Sequence, residues 1–99
     1  MPKERIKDLL QSKDYGREVI VRGWVRTRRG NNKIAFIAVN DGSTIHNIQV
    51  VAEMSSFDEE MLKNVTTGAS IIVSGQLVES MGKGQKVEIQ AKKMRVYGS

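Results

Sequence analysis

The sequence predicts an all-β fold, a small closed barrel of five strands that carries two short helices. Apolar and polar residues alternate along five separate segments, which is the period of a half-buried strand. Between the third and the fourth of these segments the apolar spacing becomes that of a helix, and another helical segment precedes the first strand. The chain has 99 residues, which suits one domain with one modest core.

The N-terminal segment and the first strand are defined by their apolar spacing. Leu9 and Leu10 follow Ile6 at the spacings of three and four residues that mark one face of a helix. Residues 18–29 then alternate strictly, and the residues on the predicted inner face are Val19, Val21, Gly23, Val25 and Thr27. Because glycine inside a strand often marks a distortion, Gly23 predicts a bend or a bulge.

Four further strands and one further helix complete the order. The strands are predicted over residues 33–40, 44–52, 69–79 and 86–97, with turns at Gly30-Asn31-Asn32, at Asp41-Gly42-Ser43 and over residues 80–85. Ser56 and Glu59 have the spacing of a capping box, which predicts the start of the second helix. A helix between strands three and four of a five-stranded Greek-key barrel is typical of the oligonucleotide-binding (OB) fold.

Several classes of protein are disfavoured by composition. The chain has no cysteine, so disulfides, thiolate zinc sites and cysteine nucleophiles are excluded, and His46 is its single histidine. We therefore expect neither a metal site nor a catalytic centre. The apolar runs are too short to span a membrane and the charged N-terminus is no secretory signal, so we expect a cytoplasmic protein without a membrane partner.

Positive charge is concentrated in one short stretch, over residues 22–33. Sixteen Lys and Arg against eleven Asp and Glu give a net charge of +5, and the cationic cluster comprises Arg22, Arg26, Arg28, Arg29 and Lys33. Arginines beside an aromatic residue suit single-stranded nucleic acid, although arginines can also form a solvated outer face. We predict that Arg26, Arg28 and Arg29 contact RNA. Trp24 is predicted to pack, as a lone tryptophan usually does, either in the core or over the first helix.

Four other residues are candidates for a binding site. Phe36 could be core, or a platform on which a base stacks. Gln49 lies on the non-core face of its strand, where it is either a plain polar residue or a reader of a uracil edge. Glu88 is either solvated or faces an arginine or a base donor, and Lys83, in a glycine-rich loop, is placed to touch a phosphate.

Together these segments resemble the N-terminal domain of class IIb aminoacyl-tRNA synthetases. The similarity is carried by residues 21–29, 36–43 and 48–51. Residues 67–75 and 82–91 are most similar to bacterial-type asparaginyl enzymes. The resemblance implies that Phe36 stacks the middle anticodon uracil, that Gln49 and Arg29 read it, and that Glu88 belongs to the same site with Arg28 as a neighbour. Arg29 has the parity of Val25, so either the strand bulges or ends near Thr27, or Arg28 makes the contact.

The resemblance also implies what the whole protein does. Residues 1–99 are expected to be an anticodon-binding domain without the catalytic domain, so this fragment would be no enzyme and would hold no cofactor. The parent would be a homodimeric ligase that attaches asparagine to tRNA-Asn with ATP and Mg²⁺. The alternatives are the corresponding domain of an aspartyl-tRNA synthetase, a stand-alone single-strand binder and, disfavoured by the clustered arginines, a protein–protein module.

Overall fold

A computed structural model describes residues 3–81 and 86–98. This part of the chain contains five strands, β1 (Glu18–Gly30), β2 (Ile34–Asn40), β3 (Ile48–Glu53), β4 (Ser70–Glu79) and β5 (Val87–Gly98). It also contains the helices α1 (Ile6–Gln11) and α2 (Glu59–Lys63), and a 3-10 turn (Met54–Ser56) that precedes α2. No helix within residues 3–81 and 86–98 is long and apolar enough to cross a membrane.

The strands form a closed barrel in the order β1-β2-β3-β5-β4, which confirms the predicted fold class. β3 and β5 run parallel, and the other neighbouring pairs are antiparallel. Inward residues of every strand meet in one core, to which α1 adds Ile6 and Leu9 and the segment after α2 adds Val65. Burial of this shared apolar surface stabilises the closed barrel and leaves the outer faces of its strands to solvent or to a ligand.

The third strand begins later than the alternation predicted, at Ile48 rather than at residue 44. The cause is the side chain of Asn40, which is buried at the end of β2. Its Nδ2 donates to the carbonyl oxygens of Thr44 and His46 at 3.2 Å each, and its Oδ1 accepts from Gly42 N at 2.7 Å. These bonds hold the segment as a loop, because they occupy backbone groups that a strand ladder would use.

The start of α2 was also predicted wrongly. Ser56 lies in the 3-10 turn, and the residue that caps the helix is Asp58. Asp58 has extended backbone angles, and its Oδ2 accepts from Met61 N at 3.1 Å. The carboxylate thus satisfies one of the free N–H groups of the first turn, and Ser56 is too far from the helix to do so.

Two features of β1 differ from the sequence prediction. Trp24 was expected either in the core or over the first helix. It is not a core residue, since it lies on the outer face between the buried residues Gly23 and Val25 and is 36% exposed. Gly23 is not the site of the bulge, which falls between Val25 and Thr27. Glycine is required at position 23 for another reason, since a Cβ there would lie 2.3 Å from the carbonyl oxygen of Asn40.

Candidate nucleic-acid interface

A bulge in β1 decides which arginine faces the outer surface of the barrel. Val25 pairs with Val39 and Thr27 with Ala38, so Arg26 is the extra residue of the bulged strand. Beyond an extra residue the two faces of a strand exchange their parity. Arg29, which has the parity of Val25, therefore ends on the outer face, where its cross-strand partner is Phe36. The structure agrees with the first of the two sequence alternatives, that the strand bulges.

Arg29 and Phe36 line a pocket of about 430 Å³ on the outer face of the barrel. The pocket is completed by Gly30, Gln49, Met81 and Glu88. Phe36, Gln49 and Glu88 are half-buried, whereas Arg29 and Met81 are exposed. The pocket therefore combines a flat aromatic ring, an amide, a carboxylate and a guanidinium within reach of one small planar group.

The polar wall of this pocket is a hydrogen-bonded pair. Gln49 on β3 is in register with Glu88 on the parallel strand β5. The Nε2 atom of Gln49 donates to Oε2 of Glu88 at 2.9 Å, and within the described residues this is the amide's one hydrogen bond. The Gln49 amide thus keeps its Oε1 acceptor and one N–H donor free for a ligand.

Arg28 does not line the pocket around Phe36. It is opposite the buried residue Ile37, on the other face of β1 from Arg29, and its guanidinium turns toward the helix α2. Its Nη1 donates to the carbonyl oxygen of Leu62 at 2.5 Å and to that of Val65 at 3.0 Å. Arg28 therefore satisfies carbonyls at the end of α2, which is a structural contact.

The other predicted residues are distributed differently. Arg26 is exposed at the bulge and does not line the pocket. Lys83 lies outside the described residues. Met81 is a lining residue that the sequence analysis missed, and its position directly before the glycine-rich loop is the signal that could have indicated it.

Comparison with known proteins gives a match to one family model over most of the chain. The model is described as an OB-fold nucleic acid binding domain, and it matches residues 19–97.

Curated relatives are similar to this chain over nearly its whole length. An asparagine–tRNA ligase of Phocaeicola vulgatus is 56% identical over 95 residues, which are 96% of this chain and 20% of that protein. An asparagine–tRNA ligase of Porphyromonas gingivalis is 52% identical over 99 residues, which are 100% of this chain and 21% of that protein. The chain thus spans about a fifth of the length of these relatives.

Solved structures resemble the barrel at lower identity. An asparaginyl-tRNA synthetase from Pyrococcus horikoshii matches 98% of this chain and 23% of its own, with a TM-score of 0.83 and 22% identity. A putative aspartyl-tRNA synthetase from Leishmania major Friedlin matches 99% of this chain and 21% of its own, with a TM-score of 0.78 and 20% identity. At these identities the likeness concerns the fold. With a closed barrel of five strands and a family model that covers most of its length, the chain belongs to the OB-fold nucleic acid binding domains.

Proposed function

We propose that this chain is the anticodon-binding domain of an asparagine–tRNA ligase and that it holds the anticodon loop of tRNA-Asn on the pocket around Phe36. The observation that carries the proposal is the convergence of Arg29, Phe36 and Gln49, which come from three different strands, on one outer pocket. The curated relatives of P. vulgatus and P. gingivalis support asparagine rather than aspartate as the amino acid of the ligase.

Phe36 is the platform for the middle base of the anticodon. Phe36 lines the pocket and is only half-buried, so its ring can be reached by a splayed base. Base stacking on an aromatic side chain contributes about 1–3 kcal/mol per base and works for every base. Phe36 therefore supplies affinity, and the selection of uracil must come from the polar groups beside it.

Gln49 is the group that selects the base. With Nε2 donating to Glu88, the free Oε1 accepts from the N3–H of uracil, and the second N–H donates to a uracil carbonyl. Cytosine presents an acceptor at the same ring position, so it would face Oε1 without a proton between them. An unpaired polar atom of this kind is the usual basis of strong discrimination by a hydrogen-bonding site.

The cations hold the backbone of the loop. Arg29 lines the pocket, and Arg26 is exposed nearby on the same strand, so both are proposed as phosphate contacts, with Lys83 in the adjoining loop as a third. In the ligase as a whole, this binding adds recognition energy far from the reacting groups and so helps to select the tRNA. We propose that the complete ligase is a cytoplasmic homodimer that uses ATP with Mg²⁺ in a part of the polypeptide outside this barrel.

The test is a comparison of Gln49→Ala with a matched control, Gln11→Ala, in which the same residue type is removed from the exposed end of α1. Both variants are titrated with four labelled anticodon stem-loops that differ in the middle base alone. Gln49→Ala is expected to weaken binding of the uracil loop by about fivefold or more, since two hydrogen bonds of roughly 0.5–1.5 kcal/mol each are lost, and to affect the other loops less. Equal weakening of binding for all four loops would show that Gln49 supports the fold and does not read the middle base.

A stand-alone single-strand binder is the second candidate function, because the pocket has an aromatic ring and a guanidinium that would hold any single strand. Such a protein would bind all four loops equally well before any residue is changed.

A further inference from the structure

Two neighbouring arginines of β1 lie on opposite faces of the strand. Arg28 is opposite Ile37, on the inner side, and Arg29 is opposite Phe36, on the outer side. In a strand without the extra residue at position 26 each pair would shift by one, so Arg28 would be opposite Phe36 and Arg29 would face inward. Because both side chains end in the same guanidinium group, it is the shape of the strand end that decides which of them meets the RNA.

The turn between β1 and β2 fixes the pairing beyond the bulge. Gly30 is opposite Ala35 and has a φ of +131°, and a Cβ at this position would lie 2.2 Å from the carbonyl oxygen of Ile34. The Oδ1 atom of Asn31 accepts from the backbone N–H groups of Lys33 and Ile34, at 2.8 Å and 3.1 Å. No residue with a side chain fits the place of Gly30, so the turn cannot move along the strand by one residue.

Arg28 anchors the segment between the bulge and the turn from the inner side. A bulge disrupts the ladder locally, so residues 27–29 depend more on side-chain contacts than a regular strand does. The Nη1 atom of Arg28 donates to the carbonyl oxygens of Leu62 and Val65, and its Nη2 lies 3.9 Å from Sδ of Met54. These partners belong to the end of α2 with the residues after it, and to the 3-10 turn. The guanidinium therefore ties the end of β1 to two other segments of the barrel.

The Arg29 side chain has no anchor of its own. It is exposed, and it makes no hydrogen bond or ion pair with any residue in the ranges 3–81 and 86–98. A long side chain of this kind samples many rotamers, and its average direction is set by the backbone that carries it. The direction of the Arg29 guanidinium therefore depends on the orientation of the strand end, which the turn and Arg28 hold from two sides.

We propose that Arg28 is a positioning residue for RNA binding, which holds the end of β1 so that the Arg29 guanidinium stays on the pocket around Phe36. The inference rests on the proposed function, in which Arg29 contacts a phosphate of the anticodon loop. Arg28 itself touches no RNA, because its donors are directed to two backbone carbonyls and a thioether of the protein. By fixing the strand end before the RNA arrives, Arg28 lowers the ordering cost of binding.

The test measures the salt dependence of binding between this chain and a labelled anticodon stem-loop bearing GUU, by fluorescence anisotropy at a temperature where every variant is folded. Arg28→Met should make the slope of log K against log salt concentration less negative by about 0.7, the value of one phosphate contact on a single strand, as Arg29→Ala does. The double variant should lose no more than Arg29→Ala alone. Arg28→Lys, whose ammonium can still donate to the two carbonyl oxygens, should keep the wild-type slope. If Arg28→Met does not fold, Arg28→Gln takes its place in the comparison.

Val65→Ala is the control for lost stability, because it removes buried methyl groups and leaves the carbonyl that Arg28 contacts in place. It should lower the Tm and keep the slope. If Arg28→Met has the wild-type slope while Arg29→Ala does not, Arg28 only supports the fold. If the double variant loses the sum of the two single effects, Arg28 contacts a phosphate itself. Either result overturns the inference and leaves the proposed function intact. If the wild type binds no stem-loop, or Arg29→Ala keeps the wild-type slope, the proposed function or its Arg29 contact fails first, and the inference with it.

Discussion

Gln49 Nε2 and Glu88 Oε2 are joined by a hydrogen bond of 2.9 Å across the parallel pair of β3 and β5. A carboxylate accepts and cannot donate when it is ionised, so this contact selects the orientation of the Gln49 amide in which nitrogen faces Glu88. The amide oxygen is then turned to the pocket. We propose that Glu88 is a positioning residue, because it sets which atoms of the Gln49 amide can hydrogen-bond to a base.

Glu88→Ala is expected to reduce the discrimination between loops with a middle uracil and loops with a middle cytosine. Without the carboxylate the Gln49 amide can rotate and present its nitrogen to cytosine, so the ratio of the two Kd values should fall by about threefold to tenfold. Removal of a negative charge also raises affinity for every loop, so the ratio is the informative quantity. Glu79→Ala, which removes an exposed carboxylate from β4, is the control; an equal fall in that variant would contradict the positioning role.

Arg28→Met is expected to destabilise the fold. The substitution keeps most of the aliphatic volume and removes the donor to the carbonyl oxygens of Leu62 and Val65, at a cost of about 1–3 kcal/mol. For a domain of this size each kcal/mol lowers the Tm by about 4–8 °C. Thermal unfolding followed by circular dichroism measures the loss, with Arg26→Met at the exposed bulge as the control. Equal Tm values for the two variants would show that the Arg28 contact contributes nothing.

Arg29→Ala is expected to change the salt dependence of RNA binding and to leave the Tm unchanged, since Arg29 is exposed and lines the pocket. Each phosphate that a protein neutralises on a single strand contributes about −0.7 to the slope of log K against log salt concentration. The slope should become less negative by about that amount if one phosphate contact is lost. Titrations at several salt concentrations test this, with Arg5→Ala in the N-terminal segment as the control. An unchanged slope would show that Arg29 contacts no phosphate of the RNA backbone.

Asp41 makes stability depend on pH through the docking of α1. Partial burial by itself raises the pKa of the Asp41 carboxyl, but hydrogen bonds from the Ser43 side chain and from the backbone N–H groups of Ile6 and Ser43 outweigh it, so the pKa is lowered. A carboxyl with a lowered pKa in the folded state stabilises the fold above its unfolded pKa, and this contribution is lost as the pH falls through the folded pKa.

The wild type should therefore lose stability below about pH 4 more steeply than Asp41→Asn, in which no charge can be titrated at this position. Urea unfolding between neutral and acidic pH compares the two proteins. Parallel curves of unfolding free energy against pH would show that Asp41 carries no such linkage.

The sequence predicted the structure correctly wherever one periodicity of apolar residues dominated a segment. The alternation of Val19, Val21 and Val25 predicted a strand and an inward face that the structure confirms. These residues pack in one core. For them the local alternation of the sequence and the burial in the folded barrel place the side chain on the same face of the strand.

Prediction failed where a side chain from another segment decides the local structure. The bonds of Asn40 convert the predicted start of β3 into a loop, and Asp58 rather than Ser56 caps α2 because the turn before the helix displaces the serine. The bulge at Arg26 has no glycine to mark it, so only the register with β2 decides that Arg29 and not Arg28 faces Phe36. Trp24 precedes the bulge and is exposed for a different reason: its place in the alternation, between the inward residues Gly23 and Val25, fixes its face whatever its residue type.

Base reading by the pocket around Phe36 is tested by titrating the wild-type chain with an anticodon stem-loop bearing GUU and with the same hairpin carrying C as its middle base. If Phe36 stacks the middle base and Gln49 reads it, the GUU hairpin should bind at least about fivefold more tightly, because a mismatched polar edge costs on the order of 1 kcal/mol or more. Equal affinity for the two hairpins would contradict base reading by this pocket and would favour a sequence-tolerant single-strand binder built on the same barrel.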